Sequence, residues 1–181
     1  GSHGSLSGTE IQYRPPAGDC TAVTADADVG YHLVNWTGTN GFVTTTDNPL
    51  TVTNVTKDMA ITANFAINQY SVTFASGANG SITGNDNQTI DHGSDATEVL
   101  AVPDSGFQFL GWTGTTTSNL NPLTLTNVTG NMSMTANFAK MSLSSSSLDE
   151  HQAVGTSVGT LSTIHPNVGE TITYTLVNGI G

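Results

Sequence analysis

Only three basic residues, Arg14, Lys57 and Lys140, stand against 14 acidic ones in 181 residues, for a formal charge of -11. That balance repels phosphate and excludes nucleic acid and anionic membrane surfaces as partners. Cysteine occurs once, at Cys20, so no intrachain disulfide can form and the scaffold of a small disulfide-rich domain is excluded. A lone thiol becomes a nucleophile only beside a His or a cation, and no sequence feature supplies one, so Cys20 reads as a small buried or half-buried filler. Long hydrophobic runs are missing too. None approaches the roughly 20 residues that span a bilayer, and no membrane insertion is expected. The N-terminus has neither a basic region nor an apolar core. Charged residues make up 9% of the chain, which rules out a coiled coil and a highly charged disordered chain.

What is present is threonine (30), glycine (20), serine (17) and asparagine (16), with a hydrophobic fraction of 36% that still allows small cores. The start Gly1-Ser2-His3-Gly4-Ser5 reads as the scar of an expression tag, a natural flexible end being the alternative. Residues 1–8 are therefore set aside as tag or leader.

Comparing the chain with itself reveals a repeat. Gly30-Tyr31-His32-Leu33-Val34-Asn35-Trp36-Thr37-Gly38 recurs as Gly106-Phe107-Gln108-Phe109-Leu110-Gly111-Trp112-Thr113-Gly114, 76 residues on. The block from Asn48-Pro49-Leu50 to Thr56 recurs from Asn121-Pro122-Leu123 to Thr129, and Thr62-Ala63-Asn64-Phe65-Ala66 recurs as Thr135-Ala136-Asn137-Phe138-Ala139, both at an offset of 73. The three-residue difference falls after the Trp and marks a surface loop.

Each copy reads as short strands. Met132, Met134, Ala136 and Phe138 alternate with polar residues, as do Met59, Ile61, Ala63 and Phe65, the period of a half-buried strand. Leu50/Val52 and Leu123/Leu125 suggest another. Tyr70, Val72 and Phe74 lead through Gly77-Ala78-Asn79-Gly80 to Ser81-Ile82-Thr83, which predicts a hairpin with an Asn-Gly turn. Copy one shows no counterpart of that hairpin, and its match fades upstream of about Asp19. The Trp strand and the Met/Ala/Phe strand of each copy are expected in one sheet, since their apolar faces otherwise lack a partner. Gly, Asn, Thr and Pro interrupt every window long enough for a helical stripe, leaving room for at most one short helical turn per repeat.

The string from Tyr70-Ser-Val-Thr-Phe through Gly106-Phe-Gln-Phe-Leu-Gly-Trp-Thr-Gly and Asn121-Pro-Leu to Met134-Thr-Ala-Asn-Phe resembles the divergent internalin B-type repeat of bacterial surface proteins. The likeness covers residues 70 to 139 well and 18 to 66 in part. It implies a small β-rich module related to β-grasp folds, strung in tandem in secreted or wall-attached proteins without known catalytic residues.

After Phe138 the pattern changes. Lys140-Met141-Ser142-Leu143 and the serines that follow resemble a linker running into a new strand, and the segment on through Val158-Gly159-Thr160-Leu161 and Glu170 to Leu176 is similar to the start of bacterial cadherin-like repeats. In that family an acidic residue near the first strand and an Asp-x-Asp pair bind interdomain calcium. Glu150 matches the first element, but His165 and Asn167 stand where the pair would be, so calcium binding is expected to be weak or absent and no other cofactor is implied.

Other chemistry is thin. Gly155-Thr156-Ser157-Val158-Gly159 matches the hydrolase elbow G-x-S-x-G, yet the elbow needs a helix after the Ser and the residues from Gly159 to Pro166 are β-formers ending in Pro. The five histidines show no zinc spacing. Asp26 and Asp28 share a strand face or a loop and read as solvated acids, with calcium the alternative. Trp36 and Trp112 carry a glycan-binding reading, because exposed indoles stack on sugar rings. Their matched repeat positions beside Tyr31/Phe107 and Leu33/Phe109 argue for core.

The expectation is thus an all-β chain of tandem, β-grasp-like repeats with an incomplete Ig/cadherin-like sandwich segment: leader 1–8, partial repeat 9–68, full repeat 69–140, cadherin-like start 141–181. Its expected function is that of a non-enzymatic spacer or weak binding module in a bacterial secreted or cell-surface adhesin. The expected partners are the rest of a larger surface polypeptide and a host or cell-surface protein or glycan. A glycan-binding module through Trp36 and Trp112 is the second reading and a hydrolase using Ser157 the third.

Overall fold

In a computed structural model, residues 2–143 and 161–163 are described. The chain is all-β, with no helix among the described residues, so the helical turn that the composition allowed is not used. The described residues hold eleven strands, in order β1 (Gly4–Gly8), β2 (Val23–Ala27), β3 (Tyr31–Gly38), β4 (Ile61–Ile67), β5 (Gln69–Ser76), β6 (Gly80–Thr83), β7 (Asn87–Asp91), β8 (Leu100–Pro103), β9 (Phe107–Gly114), β10 (Met132–Leu143) and β11 (Leu161–Thr163). The described residues form two compact units, one of residues 2–71, 89–95 and 126–131, the other of 72–88, 96–125, 132–143 and 161–163.

In the first unit β1 pairs antiparallel with β2, and β3 pairs antiparallel with β4. Tyr31 faces Ile67 and Gly38 faces Ile61, with Val34 pushed out as a bulge between Leu33 and Asn35. The bulge shifts the side-chain alternation by one residue, so that Leu33 and Trp36, three apart, both join the core. That core gathers Ala25, Trp36, Leu50 and Ala63, covered by Leu6, Val23, Leu33, Phe42, Val52, Ile61 and Phe65.

In the second unit β6 pairs with β8 and β9 pairs antiparallel with β10. The register again slips beside Phe109, opposite Asn137/Phe138. The Trp strand and the alternating Met/Ala/Phe strand do share a sheet in both copies, as their orphaned apolar faces required. One further pairing is parallel: β5 lies along β10 with Val72 opposite Met132 and Phe74 opposite Met134, and β7 flanks β5 on its other side. Aromatic rings interlock edge to face, Phe74 on Trp112, Phe109 on Trp112 and Phe109 on Phe138. Beyond Lys140, β10 continues to Leu143 and pairs with β11, where a linker was expected to begin.

Three expectations are corrected. Residues 4–8 are no leader: they form β1, in register with β2 from Gly4↔Ala27 to Gly8↔Val23. The sequence Gly4-Ser5-Leu6-Ser7-Gly8 is the counterpart of Gly80-Ser81-Ile82-Thr83-Gly84, 76 residues on, so copy one does contain the returning strand thought missing. The backbone repeats as well, with His3 (φ 73) matching Asn79 (φ 71) and Gly8 (φ 114) matching Gly84 (φ 124). Second, β5 and β6 are not a hairpin. Each finds other partners, β5 in the sheet of β10 and β7, β6 on β8, because Val72 and Phe74 are drawn into the core on the β10 side. Third, Leu50/Val52 and Leu123/Leu125 do not make strands. Leu50 and Leu123 form isolated bridges to Val23 and Val99 and anchor irregular loops through their side chains.

Candidate functional site

Both indoles are core. Trp36 is 2% and Trp112 1% exposed, so neither offers the open ring face that sugar stacking requires. Each indole N–H donates to a loop carbonyl, Trp36 Nε1 to Asp47 O at 2.9 Å and Trp112 Nε1 to Leu120 O at 3.0 Å. Each Trp backbone N–H donates to the same loop, to Thr45 O at 2.8 Å and Ser118 O at 2.7 Å. The Trp therefore organises the loop that follows it, from the inside. Those loops, 37–47 and 113–120, present Val43 at 80% and Leu120 at 67% exposure, apolar groups held out in solvent.

Polar residues of the repeat motif close the fold in pairs. Ala25 N–H donates to Asn48 Oδ1 at 2.8 Å while Asn48 Nδ2 donates back to Ala25 O at 2.9 Å, and Asn121 does the same on Ala101 at 2.8 Å each way. Both asparagines precede a cis proline, Pro49 or Pro122. Gln12 clamps Thr21 through Nε2 to its carbonyl and Oε1 from its amide, as Gln88 clamps Thr97. Asp19 Oδ1 accepts from Asn54 N–H and Asp95 Oδ1 from Asn127 N–H. None of these clamps is visible in hydrophobic periodicity. The equivalence of Gln12 with Gln88, at the same offset as the Trp strand, was the signal that could have revealed them and carried the repeat upstream of Asp19. Among the described residues no buried side-chain nitrogen or oxygen lacks a partner, so these polar groups are absorbed by the fold.

A groove of about 560 Å³ lies in the first unit. Gln12, Arg14, Trp36, Val52, Met59 and Ile61 are among the residues that line it. Cys20 also lines it, half-buried, as a filler was expected to be.

The remaining candidates do not converge. Asp26 and Asp28 are exposed, and among the described residues no three His, Cys, Asp or Glu side chains are grouped to hold a metal ion. His32 Nδ1 lies 2.7 Å from Asn68 Oδ1, and His92 Nδ1 lies 3.3 Å from the Tyr70 hydroxyl, both contacts within the first unit. Glu150, Ser157, His165 and Asn167, with most of the cadherin-like segment, lie outside the described residues.

Two copies of one β-rich module, built on the same bulged Trp strand and the same Asn-Pro clamp, define a tandem-repeat protein. The profile of the divergent InlB B-repeat domain matches twice, over residues 1–69 and 70–142, and the chain belongs to that family. Comparisons with curated proteins and with solved structures gave no significant match.

Proposed function

We propose that the chain is a non-enzymatic spacer and interaction segment of a bacterial secreted or cell-surface protein. The observation that carries this reading is the use made of the repeated polar residues: Gln12/Gln88, Asp19/Asp95 and Asn48/Asn121 all bond backbone groups within their own copy. A motif kept in duplicate to hold loops in shape supports a module whose copies extend a stalk or multiply a weak contact. Family membership adds to it, since InlB-type B-repeats occur in bacterial surface proteins. Specificity is assigned to loops 37–47 and 113–120, which differ in length between copies and carry exposed Val43 and Leu120.

Screening the intact chain against glycan and surface-protein arrays, with ester and glycoside substrates alongside, tests the proposal. Expected is weak binding that Val43→Ser and Leu120→Ser reduce together, and no turnover. Hydrolysis abolished by Ser157→Ala would replace this reading with the hydrolase. Glycan binding lost in Trp36→Phe with an unchanged thermal melt would promote the glycan platform.

A further inference from the structure

Two Asn-Gly pairs lie among the described residues, Asn40-Gly41 and Asn79-Gly80. In such a pair the asparagine is open to attack by its own chain, because glycine sets no side chain beside the backbone nitrogen that closes on the amide carbon. Both asparagines are exposed and take positive φ, 54 at Asn40 and 71 at Asn79. Their glycines differ. Gly80 opens β6 opposite Pro103, a Cβ there would stand 2.5 Å from the Phe138 ring, and Asn79 O accepts Asp104 N–H at 3.0 Å. Gly41 stands at the tip of an exposed turn with φ 92, and no atom lies within 4 Å of a Cβ placed on it. Its N–H has no hydrogen-bond partner among the described residues.

The turn is of the I′ kind, with Asn40 and Gly41 at its central positions and Phe42 N–H donating to Thr39 O at 3.2 Å. Three contacts fasten it to the segment that leads into β4. Asn40 Nδ2 donates to Asp58 O at 2.6 Å, Thr39 N–H to Ala60 O at 3.0 Å, and Ala60 N–H to Thr39 Oγ1 at 3.0 Å. The two threonine contacts recur in the second repeat, between Thr115 and Ser133. The asparagine is peculiar to the first. The second loop runs Thr115-Thr116-Thr117-Ser118, and bridges from Trp36 to Thr45 and from Trp112 to Ser118 place the three extra residues of the first loop in the span that holds Asn40-Gly41.

We propose that Asn40 is a self-modification site, at which the chain converts its own amide to an acid with water as the only co-reactant. Gly41 N bonds to Asn40 Cγ and the Cγ–Nδ2 bond breaks. The displaced nitrogen leaves as ammonia, carrying the proton that Gly41 N gives up, and a cyclic succinimide remains. Water then adds at one of its two carbonyls. Cleavage of the bond from nitrogen to Cγ leaves aspartate; cleavage at the main-chain carbonyl leaves isoaspartate, whose backbone runs through Cγ and is one carbon longer. Neither product has the Nδ2 donor, and both carry a new negative charge beside the Asp58 carbonyl. The tie to residue 58 is lost and the threonine contacts are left to hold the turn. At Asn79 the same closure would have to turn the chain against β8 and the Phe138 ring. The consequence for binding rests on the reading that loop 37–47 carries specificity: conversion alters the first loop near Val43 and leaves loop 113–120 unchanged. The chemistry at Asn40 is independent of that reading.

Trypsin puts each Asn-Gly pair on its own peptide, because Arg14 precedes Pro15 and resists cleavage. Asn40 falls on 1–57, Asn79 on 58–140, and Asn178-Gly179, outside the described residues, on 141–181. The intact protein is held in warm, mildly alkaline buffer, digested at intervals and read by mass spectrometry. Expected is acid formation on 1–57 at least about tenfold faster than on 58–140, the ratio that about 1.4 kcal/mol of added restraint at Gly80 produces. In urea the two rates should converge, since the fold is what separates the sites. Asn40→Gln should abolish the conversion of 1–57. Asn40→Asp, the straight-chain product, should speed hydrogen exchange at Thr39 and Ala60. A folded chain in which 58–140 converts as fast as 1–57, or a conversion of 1–57 that survives Asn40→Gln, would overturn the assignment. Conversion at Asn40 that leaves binding to the glycan and protein arrays unchanged would support the site and overturn the loop's role in binding.

Discussion

Gly80 lies against the ring of Phe138: a Cβ built on Gly80 would stand 2.5 Å from Phe138 Cζ. Gly4 has the same relationship to Phe65, again at 2.5 Å from Cζ. Each aromatic side chain at the end of the alternating strand is thus seated on a glycine of the strand pair beside it. Gly80→Ala is expected to force the Phe138 ring aside and destabilise by about 1–3 kcal/mol, the usual range for overpacking. Gly130→Ala is the control, since nothing lies within 4 Å of its added Cβ. Denaturant melts of the two variants should differ by at least half of that cost. Equal midpoints would show that the ring yields freely.

Asn121 closes two hydrogen bonds on Ala101 and thereby fixes the loop that brings Leu123, 2% exposed, into the core. Asn121→Ala leaves the Ala101 N–H and C=O without their partners in a part-buried place. A loss of about 1–3 kcal/mol is expected for such unsatisfied groups. Asn121→Asp keeps the acceptor but sets a carboxylate oxygen against the Ala101 carbonyl in a part-buried place, so its cost should match or exceed that of the Ala variant. Urea denaturation of the three proteins reads this order directly.

How much of this was legible in the sequence follows from the kind of signal each feature leaves. The strand at 132–138 is written in strict alternation, and the Trp strand in a nine-residue repeat, so both emerged with their pairing. The first strand did not, because Gly4-Ser5-Leu6-Ser7-Gly8 has one large apolar residue and the composition of a tag. Only its offset of 76 from Gly80-Ser81-Ile82-Thr83-Gly84 distinguishes it. The Asn-Gly turn misled for a physical reason. Asn79 takes the expected positive φ of 71, but the strands on either side find better cover elsewhere, β5 beside β10 and β6 beside β8. Turn chemistry fixed the local backbone and tertiary burial chose the partners.

Trp112 is 1% exposed and touched edge-on by both Phe74 and Phe109. Trp112→Ala should cost about 3–5 kcal/mol through the cavity it leaves. It should also release the loop at 113–120, whose Leu120 carbonyl accepts the indole N–H and whose Ser118 carbonyl accepts the Trp backbone N–H. Trp112→Phe keeps most of the ring contact and loses the indole donor, so the stability loss should be smaller while the loop still loosens. Thermal melts with hydrogen exchange at 113–120 separate the two effects. A Trp112→Ala melt matching the parent would sink the core assignment.

Removing residues 1–8 distinguishes a strand from a leader. Leu6 packs on the core around Trp36 and Ala25, and Gly4 lies under Phe65, so the deletion strips one wall from the first repeat as well as the ladder partner of β2. Burying one Leu side chain is worth about 1.5–3 kcal/mol, and the lost ladder bonds add to that. The second repeat has its own β6 on β8 and should be unaffected. The expected result is an earlier unfolding transition confined to the first repeat, with hydrogen exchange accelerated in Val23–Ala27 and unchanged in Leu100–Pro103. If residues 1–8 were a leader outside the fold, exchange in β2 would not respond to their loss. A point variant sharpens the test without shortening the chain: Leu6→Asp leaves the backbone able to pair but places a charge against the Trp36 core, and it should reproduce the accelerated exchange in β2.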